Sequence, residues 1–195
     1  NNKGNALRNL EKYEEAITSY DEAIRINPEY VSAWNNKGNA LKNLEKYEEA
    51  ITSYDEAIRL NPEYVSACNN KGIPLNDLKK YEEAIVCYDE AIRIDPEYVG
   101  AWNNKGNALQ NIKKYEEAIA CYDEAIRINP EYDFAWHNKG NALKNLKKYE
   151  EAIACYDEAI KIYPEYDSAW DGKGDALRNL KKYEEAIACY DEEIR

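Results

Sequence analysis

A period of 34 residues runs through this chain of 195. Trp102, Trp136 and Trp170 keep that step, and Trp34 lies two steps before Trp102. Pro28, Pro62, Pro96, Pro130 and Pro164 share it, as do Gly4, Gly38, Gly72, Gly106, Gly140 and Gly174. A fixed period of this length means stacked supersecondary units, each burying its apolar face on its neighbours. Each unit reads as two helices. Trp34, Gly38, Leu41 and Leu44 fall at steps of four and three, which predicts a first helix from Ala33 to about Leu44. Ala50, Ile51, Tyr54, Ala57 and Ile58 form one stripe of a second helix that begins near Tyr47. Asn61-Pro62 ends it, because the residue before a proline avoids the α region. The same pair is expected to start the next helix, with Asn61 as N-cap and Pro62 in the first helical position.

Trp34, Gly38, Ala50, Tyr54, Ala57 and Pro62, recurring along the chain, resemble the tetratricopeptide (TPR) repeat. The resemblance implies an all-α fold, a right-handed superhelical solenoid of antiparallel helix pairs, as a single array over 1–195. Complete units would run 31–64, 65–98, 99–132 and 133–166, with partial units at 1–30 and 167–195. One departure recurs. Where the family pattern has an apolar residue before the glycine, this chain has Lys3, Lys37, Lys71, Lys105, Lys139 and Lys173. A lysine there is expected to lay its stem on apolar neighbours and keep its ammonium in water.

Charged residues make up 33% of the chain and the net charge is −12, a poor match to nucleic acid or to an anionic membrane surface. No apolar run reaches the roughly 20 residues of a membrane span, and no signal-peptide pattern opens the chain. These features predict a soluble, cytoplasmic protein. There is no Met, so the sequence reads as a piece of something longer. Cys87, Cys121, Cys155 and Cys189 also step by 34, which places them on equivalent helices about 8–10 Å apart, beyond the roughly 7 Å reach of a disulfide. Free thiols are expected. The paired carboxylates Glu48-Glu49 recur in every unit, as a catalytic pair has no reason to do, and adjacent helical residues do not face each other. With no metal knuckle, phosphate loop or nucleophile beside a base, neither an enzyme nor a cofactor is predicted.

The candidate site lies on the first helix of each unit. Asn35, Asn39 and Asn43 stand at i, i+4 and i+8, and the stripe recurs as Asn5 and Asn9, as Asn103, Asn107 and Asn111, and as Asn141 and Asn145. Asparagine costs about 0.5–0.7 kcal/mol against Ala in a helix, so three on one helix is more than bare structure asks for. An Asn amide both donates and accepts, and can grip a peptide unit whatever its side chain. The alternative is that duplication copied a solubilising face. Lys42 and Lys144, with Arg8 and Arg178, hold one position beside the stripe, while acidic residues concentrate on the second helix. The family resemblance implies that first helices line a concave face that holds a partner peptide. Asn36 and Asn39 match the asparagines of the family's clamp for chaperone C-terminal carboxylates, but its cation positions carry residues of the types Ser32, Asn35 and Asn70. That disfavours chaperone tails and leaves an extended protein or peptide segment as partner. Phe134, the only Phe, and His137, one turn on, share a helix face as an aromatic anchor; alternatively Phe134 packs on the preceding loop. A structural or self-assembling spacer without a groove ligand is the second functional reading.

Residues 68–80 break the pattern. Cys68 replaces a Trp, Ile73 an Asn and Pro74 an Ala. Pro74 removes a helical amide and costs about 3 kcal/mol, so the helix is expected to kink or fray near Ile73. Loss of a large buried ring is expected to cost about 3–5 kcal/mol unless the site collapses. At the far end, Tyr190, Ile187 and Ile194 form an apolar stripe, with Glu193 replacing the usual Ala, and this predicts weak end-to-end association.

Overall fold

The computed structural model of the protein describes residues 1–193, the Glu193 side chain excepted. Ile194, one of the three residues of the expected terminal stripe, and the Glu193 side chain beside it lie outside the described residues. Of the other two, Ile187 is 59% exposed and Tyr190 is half-buried. Among the described residues there are twelve α-helices. They are α1 (Asn2–Asn9), α2 (Tyr13–Ile26), α3 (Val31–Asn43), α4 (Tyr47–Leu60), α5 (Val65–Asp77), α6 (Tyr81–Ile94), α7 (Val99–Asn111), α8 (Tyr115–Ile128), α9 (Asp133–Asn145), α10 (Tyr149–Ile162), α11 (Asp167–Asn179) and α12 (Tyr183–Glu193). No described helix is long and apolar enough to cross a membrane.

Two turn types alternate between them. Leaving α3, the Lys46 N–H donates to the Leu41 carbonyl at 3.0 Å and the Glu45 N–H to that of Lys42 at 2.9 Å. This is a Schellman closure, and it puts Glu45 at φ 58°. Lys79, Lys113, Lys147, Lys181 and Glu11 hold the equivalent left-handed position, which glycine usually takes. Leaving α4, Asn61 is extended and its Oδ1 accepts the Glu63 N–H at 3.1 Å. Asn61 therefore closes an Asx turn and does not cap α5. That helix starts at Val65, with Pro62 still in the turn, so the expected restart is displaced by three residues.

The described residues fall into two compact halves, Asn1–Ala101 and the residues from Trp102 onward. In the first, α1 packs on α2 and so on in order up to α5 on α6, and α3 also touches α5. In the second, α8 to α12 do the same, and α9 touches α11. Each pair is locked by one contact. Tyr54 of α4 is fully buried against Gly38 of α3, where an added Cβ would stand 2.5 Å from the ring. Tyr20 meets Gly4, Tyr122 meets Gly106 and Tyr156 meets Gly140 in the same way. Alanines fill much of the rest of the core, among them Ala50, Ala57, Ala84, Ala91, Ala118 and Ala125, together with leucines such as Leu41 and Leu143. The cysteines are free thiols, and burial pushes those of Cys87 and Cys155 up to about 11.

The recurring lysine is not left in water. Lys37 reaches Asp21 of the preceding second helix at 2.6 Å, and Lys71–Asp55, Lys139–Asp123 and Lys173–Asp157 repeat the pair. Only 22–25% of each lysine side chain is exposed. The ammoniums of Lys37, Lys139 and Lys173 also lie 5.5–5.8 Å from the ring centres of Trp34, Trp136 and Trp170. Each of those indoles donates to a proline carbonyl of the preceding turn, as Trp34 does to Pro28 at 2.9 Å. The family's apolar position has become one link in an Asp–Lys–Trp–carbonyl chain between units.

Residues 68–80 are accommodated without fraying. Helix α5 runs unbroken through Pro74, which is buried. The expected loss of a large buried ring is also corrected, because Trp34, Trp136 and Trp170 are only half-buried. Cys68 sits 2% exposed among Ala91, Ala101, Ile58, Val65 and Ile92.

Candidate functional site

The first helices carry the asparagine stripe, and its three positions have three different environments. Asn39, in the middle of α3, accepts the buried Tyr54 hydroxyl on Oδ1 at 2.8 Å. Asn5 accepts Tyr20 at 2.9 Å, Asn107 accepts Tyr122 at 2.8 Å and Asn141 accepts Tyr156 at 2.8 Å. Burial raises these phenols above their ordinary range. They stay protonated, and each needs an acceptor. At the first position Asn35 and Asn103, both 5% exposed, accept the Nδ2 of Asn70 and Asn138 in the following unit, at 3.1 and 3.0 Å. Asn36 donates likewise to Asn1 at 3.2 Å and to Asn5 at 3.1 Å. Two of the three asparagines are thus asked for by structure, which corrects the expectation from helix propensity alone. The third position, Asn9, Asn43, Asn111 and Asn145, is exposed. Asn145 turns back to the Asn141 carbonyl at 2.9 Å.

The Tyr–Asn bond also orients the amide. With Oδ1 committed to the phenol, the Nδ2 groups of Asn5, Asn39 and Asn107 donate to nothing among the described residues. Ile73 breaks the series, having no atom to accept the Tyr88 hydroxyl. In α11 the position is Asp175, which accepts Tyr190 at 3.4 Å and offers no donor.

The basic residues differ between the halves. In the first, Lys42 is half-buried and its charge opposes the burial that raises the Asp77 carboxyl. In the second, Lys144 is bound to Asp175 at 3.1 Å and Arg178 pairs with the same carboxylate at 2.7 Å. Lys144 therefore presents a neutralised pair instead of a free cation.

Phe134 and His137 are brought together by a residue the sequence did not single out. Tyr166, which precedes α11, packs its ring 4.9 Å from His137 and 5.7 Å from Phe134, the latter edge-on. Tyr132 stands 5.8 Å from Phe134 and Tyr163 6.1 Å from Tyr166. Phe134 remains 51% exposed. His137 occupies the place of Asn35 and Asn103, and Gly172 stands where Asn70 and Asn138 donate in other units. At Gly172 a Cβ would lie 2.7 Å from Tyr156, beside the imidazole. The inter-unit amide pair is replaced here by a ring. His137 Nε2 accepts from Asn141 Nδ2 at 2.8 Å, which puts the ring proton on Nδ1. That buried atom has no partner among the described residues. Burial, with the Lys144 charge behind it, holds the imidazole pKa down to about 4, so the ring is neutral. The signal for this cluster was present in the chain as departures from the repeat: Asp133 and Asp167 replace Val, Asp171 replaces Asn and Tyr163 replaces Asn or Asp.

Comparison with known proteins agrees with this architecture. A tetratricopeptide repeat model matches residues 31–64, 99–132 and 134–166, a TPR repeat model matches 4–45 and 75–113, and a further tetratricopeptide repeat model matches 167–192. No curated protein shows a significant sequence match. Among solved structures, Pseudomonas aeruginosa pilF superposes with TM-score 0.85 at 19% identity, over 96% of this chain and 86% of that one. YrrB, a TPR protein with an unusual peptide-binding site, gives 0.69 at 22% identity over 90% of each chain. MamA of Desulfovibrio magneticus RS-1 gives 0.75 at 20%, over 84% of this chain and 93% of that one. The 34-residue period, the Tyr–Gly lock within each helix pair and these matches coincide, and the chain belongs to the tetratricopeptide repeat family.

Proposed function

We propose that the protein is an interaction scaffold that holds an extended segment of a partner protein along its first helices. The observation that carries this reading is the oriented amide. In Asn5, Asn39 and Asn107 the buried phenol takes the oxygen, and the Nδ2 donors are held ready and unspent. Repeated donors of this kind suit the carbonyls of an extended backbone, and pre-ordering them lowers the entropy cost of binding. YrrB uses the same fold for a peptide-binding site, which supports the assignment.

The aspartate substitution separates binding from folding. Asp175 already fills this position opposite Tyr190, so Asn39→Asp and Asn107→Asp keep the phenol's acceptor and delete only the donors. A peptide is first selected from a random display library on the unaltered chain. Its affinity for the double variant is then measured in salt high enough to screen the added charges. Binding should weaken roughly tenfold, the loss of one to two net hydrogen bonds, at an unchanged melting temperature. Equal affinity would remove the donor role.

A second reading, a spacer without a ligand, draws on the inter-unit bonds Asn70–Asn35 and Asn138–Asn103, which spend asparagine on cohesion. Failure of any peptide to be selected would favour it.

A further inference from the structure

The second half holds an exposed aromatic cluster beside Asp133 and Asp167, two carboxylates in no ion pair among the described residues. Phe134 lies between Tyr132 and Tyr166, and Tyr163 extends the row. Phe134 and Tyr163 are 51% and 47% exposed. Both depart from the repeat, where Ser32 and Ser66 stand at the first position and Asn61 and Asn129 at the second. Tyr163 even gives up the Asx turn that Asn61 and Asn129 make, so its placement has a local cost. Two polar-to-aromatic changes that meet on one tyrosine need a common cause.

The charges around them point to the occupant. Asp133 opens α9 and Asp167 opens α11, each where Val stands in α3, α5 and α7. Asp133 lies close enough that its charge, after burial, helps push the Tyr166 phenol up to about 12. Among the described residues, neither Asp133 nor Asp167 is in an ion pair, whereas Asp21, Asp55, Asp123, Asp157 and Asp175 all are. A carboxylate in a helix's first turn is stabilised by the dipole, which accounts for each Asp alone. It does not account for exposed rings beside both.

We propose that Phe134, Tyr132, Tyr166 and Tyr163, with Asp133 and Asp167, form a recognition site for a cationic side chain, an arginine of the bound partner segment. A guanidinium is flat and weakly hydrated, so it stacks on an aromatic face while its edge donates to a carboxylate. Lysine, a compact and strongly hydrated ammonium, gains less from the rings. A chain of net charge −12 also draws such a segment in. This assignment rests on the peptide-binding reading above and names the chemistry of one contact within it.

Phe134 is the only Phe, so phenylalanine labelling gives a single reporter at the site. The probe is the blocked peptide Gly-Ser-Ala-Arg-Ala-Ser-Gly, against versions with Lys, Gln or Glu in place of Arg. The Phe134 ring signals should shift saturably with the Arg peptide. Anisotropy of labelled peptides should rank Arg above Lys above Gln, with Glu weakest, over roughly tenfold or more. Asp133→Asn and Phe134→Ser should each reduce Arg-peptide affinity several-fold and leave melting unchanged. Equal affinity for the Arg, Gln and Glu peptides, weakened by Asn107→Asp, would overturn this inference and leave the scaffold reading standing. No shift of Phe134 with the Arg peptide, or a Phe134→Ser chain that melts earlier and binds the peptide unchanged, would overturn it as well.

Discussion

The Tyr54 hydroxyl donates to Oδ1 of Asn39 across the α3–α4 pair at 2.8 Å, while its ring fills the space that Gly38 leaves. One buried side chain thus sets the helix crossing and also aims the amide that the proposed function uses. Asn39→Ala would leave the phenol without its acceptor and should lower stability by about 1–3 kcal/mol, the penalty of an unsatisfied buried group. Asn39→Asp should not. Denaturant midpoints of the two variants, run side by side, check this.

The converse change lies in α5. Ile73→Asn supplies Tyr88 with the acceptor its counterparts have and should stabilise the chain by about 1 kcal/mol. Pro74→Ala restores the amide that bonds to the Asn70 carbonyl and should add up to about 3 kcal/mol. A smaller gain at Pro74 would measure how far the unbroken helix has already adapted. Thermal melts of the single and double variants read both.

At the glycine itself, Gly38→Ala places a Cβ 2.5 Å from a ring that is fully buried and hydrogen-bonded, so the ring has nowhere to move. Overpacking of this kind costs about 1–3 kcal/mol. Gly100→Ala is the control, because its nearest neighbour would be 3.5 Å away. A loss confined to Gly38→Ala is the expected outcome of the melts.

Left-handed lysines offer the opposite opportunity. Lys113 sits at φ 64° in the Schellman turn after α7, a conformation that strains any residue with a Cβ. Lys113→Gly should therefore stabilise by up to about 1 kcal/mol, net of the glycine's greater freedom when unfolded. Chemical denaturation of the variant tests the sign.

His137 gives the fold a pH dependence. Its folded pKa, about 4, lies below the unfolded value of 6.5, so the unfolded chain binds the proton more readily between those limits. Stability is then fully present above pH 6.5 and falls as the pH drops towards 4. The loss from pH 6.5 to 5 should be roughly 1–2 kcal/mol. His137→Asn, the residue found at Asn35 and Asn103, should remove that component, and the difference between the two stability-against-pH curves isolates it.

The sequence by itself determined the helices, their pairing and the family. Period, proline and glycine are local signals, and the Trp34–Gly38–Leu41 and Ala50–Tyr54–Ala57 spacings carry the buried face of each helix without knowledge of its partner. It also showed where the chain departs from its own repeat, at Ile73, Pro74, Phe134 and His137. The start of α5 is not where Asn61-Pro62 implies, because the Asn61 Oδ1 accepts the Glu63 N–H and so does not cap that helix. What only the tertiary structure decided is how each polar side chain is spent. Asn35, Asn39 and Asn43 are the same residue at equal steps, yet one is buried against the next unit, one holds a phenol and one is exposed. Lys37 is polar in any reading of the chain, and becomes a half-buried link only because Asp21 arrives from α2 beside it and beside Trp34, one turn earlier on its own helix. Tyr166 looks like every other tyrosine in its column, and becomes the centre of a cluster because Phe134 and His137 reach it across a unit boundary. Hydrogen-bond satisfaction and desolvation depend on groups brought near from a distance in the chain, and no periodicity within one helix encodes them.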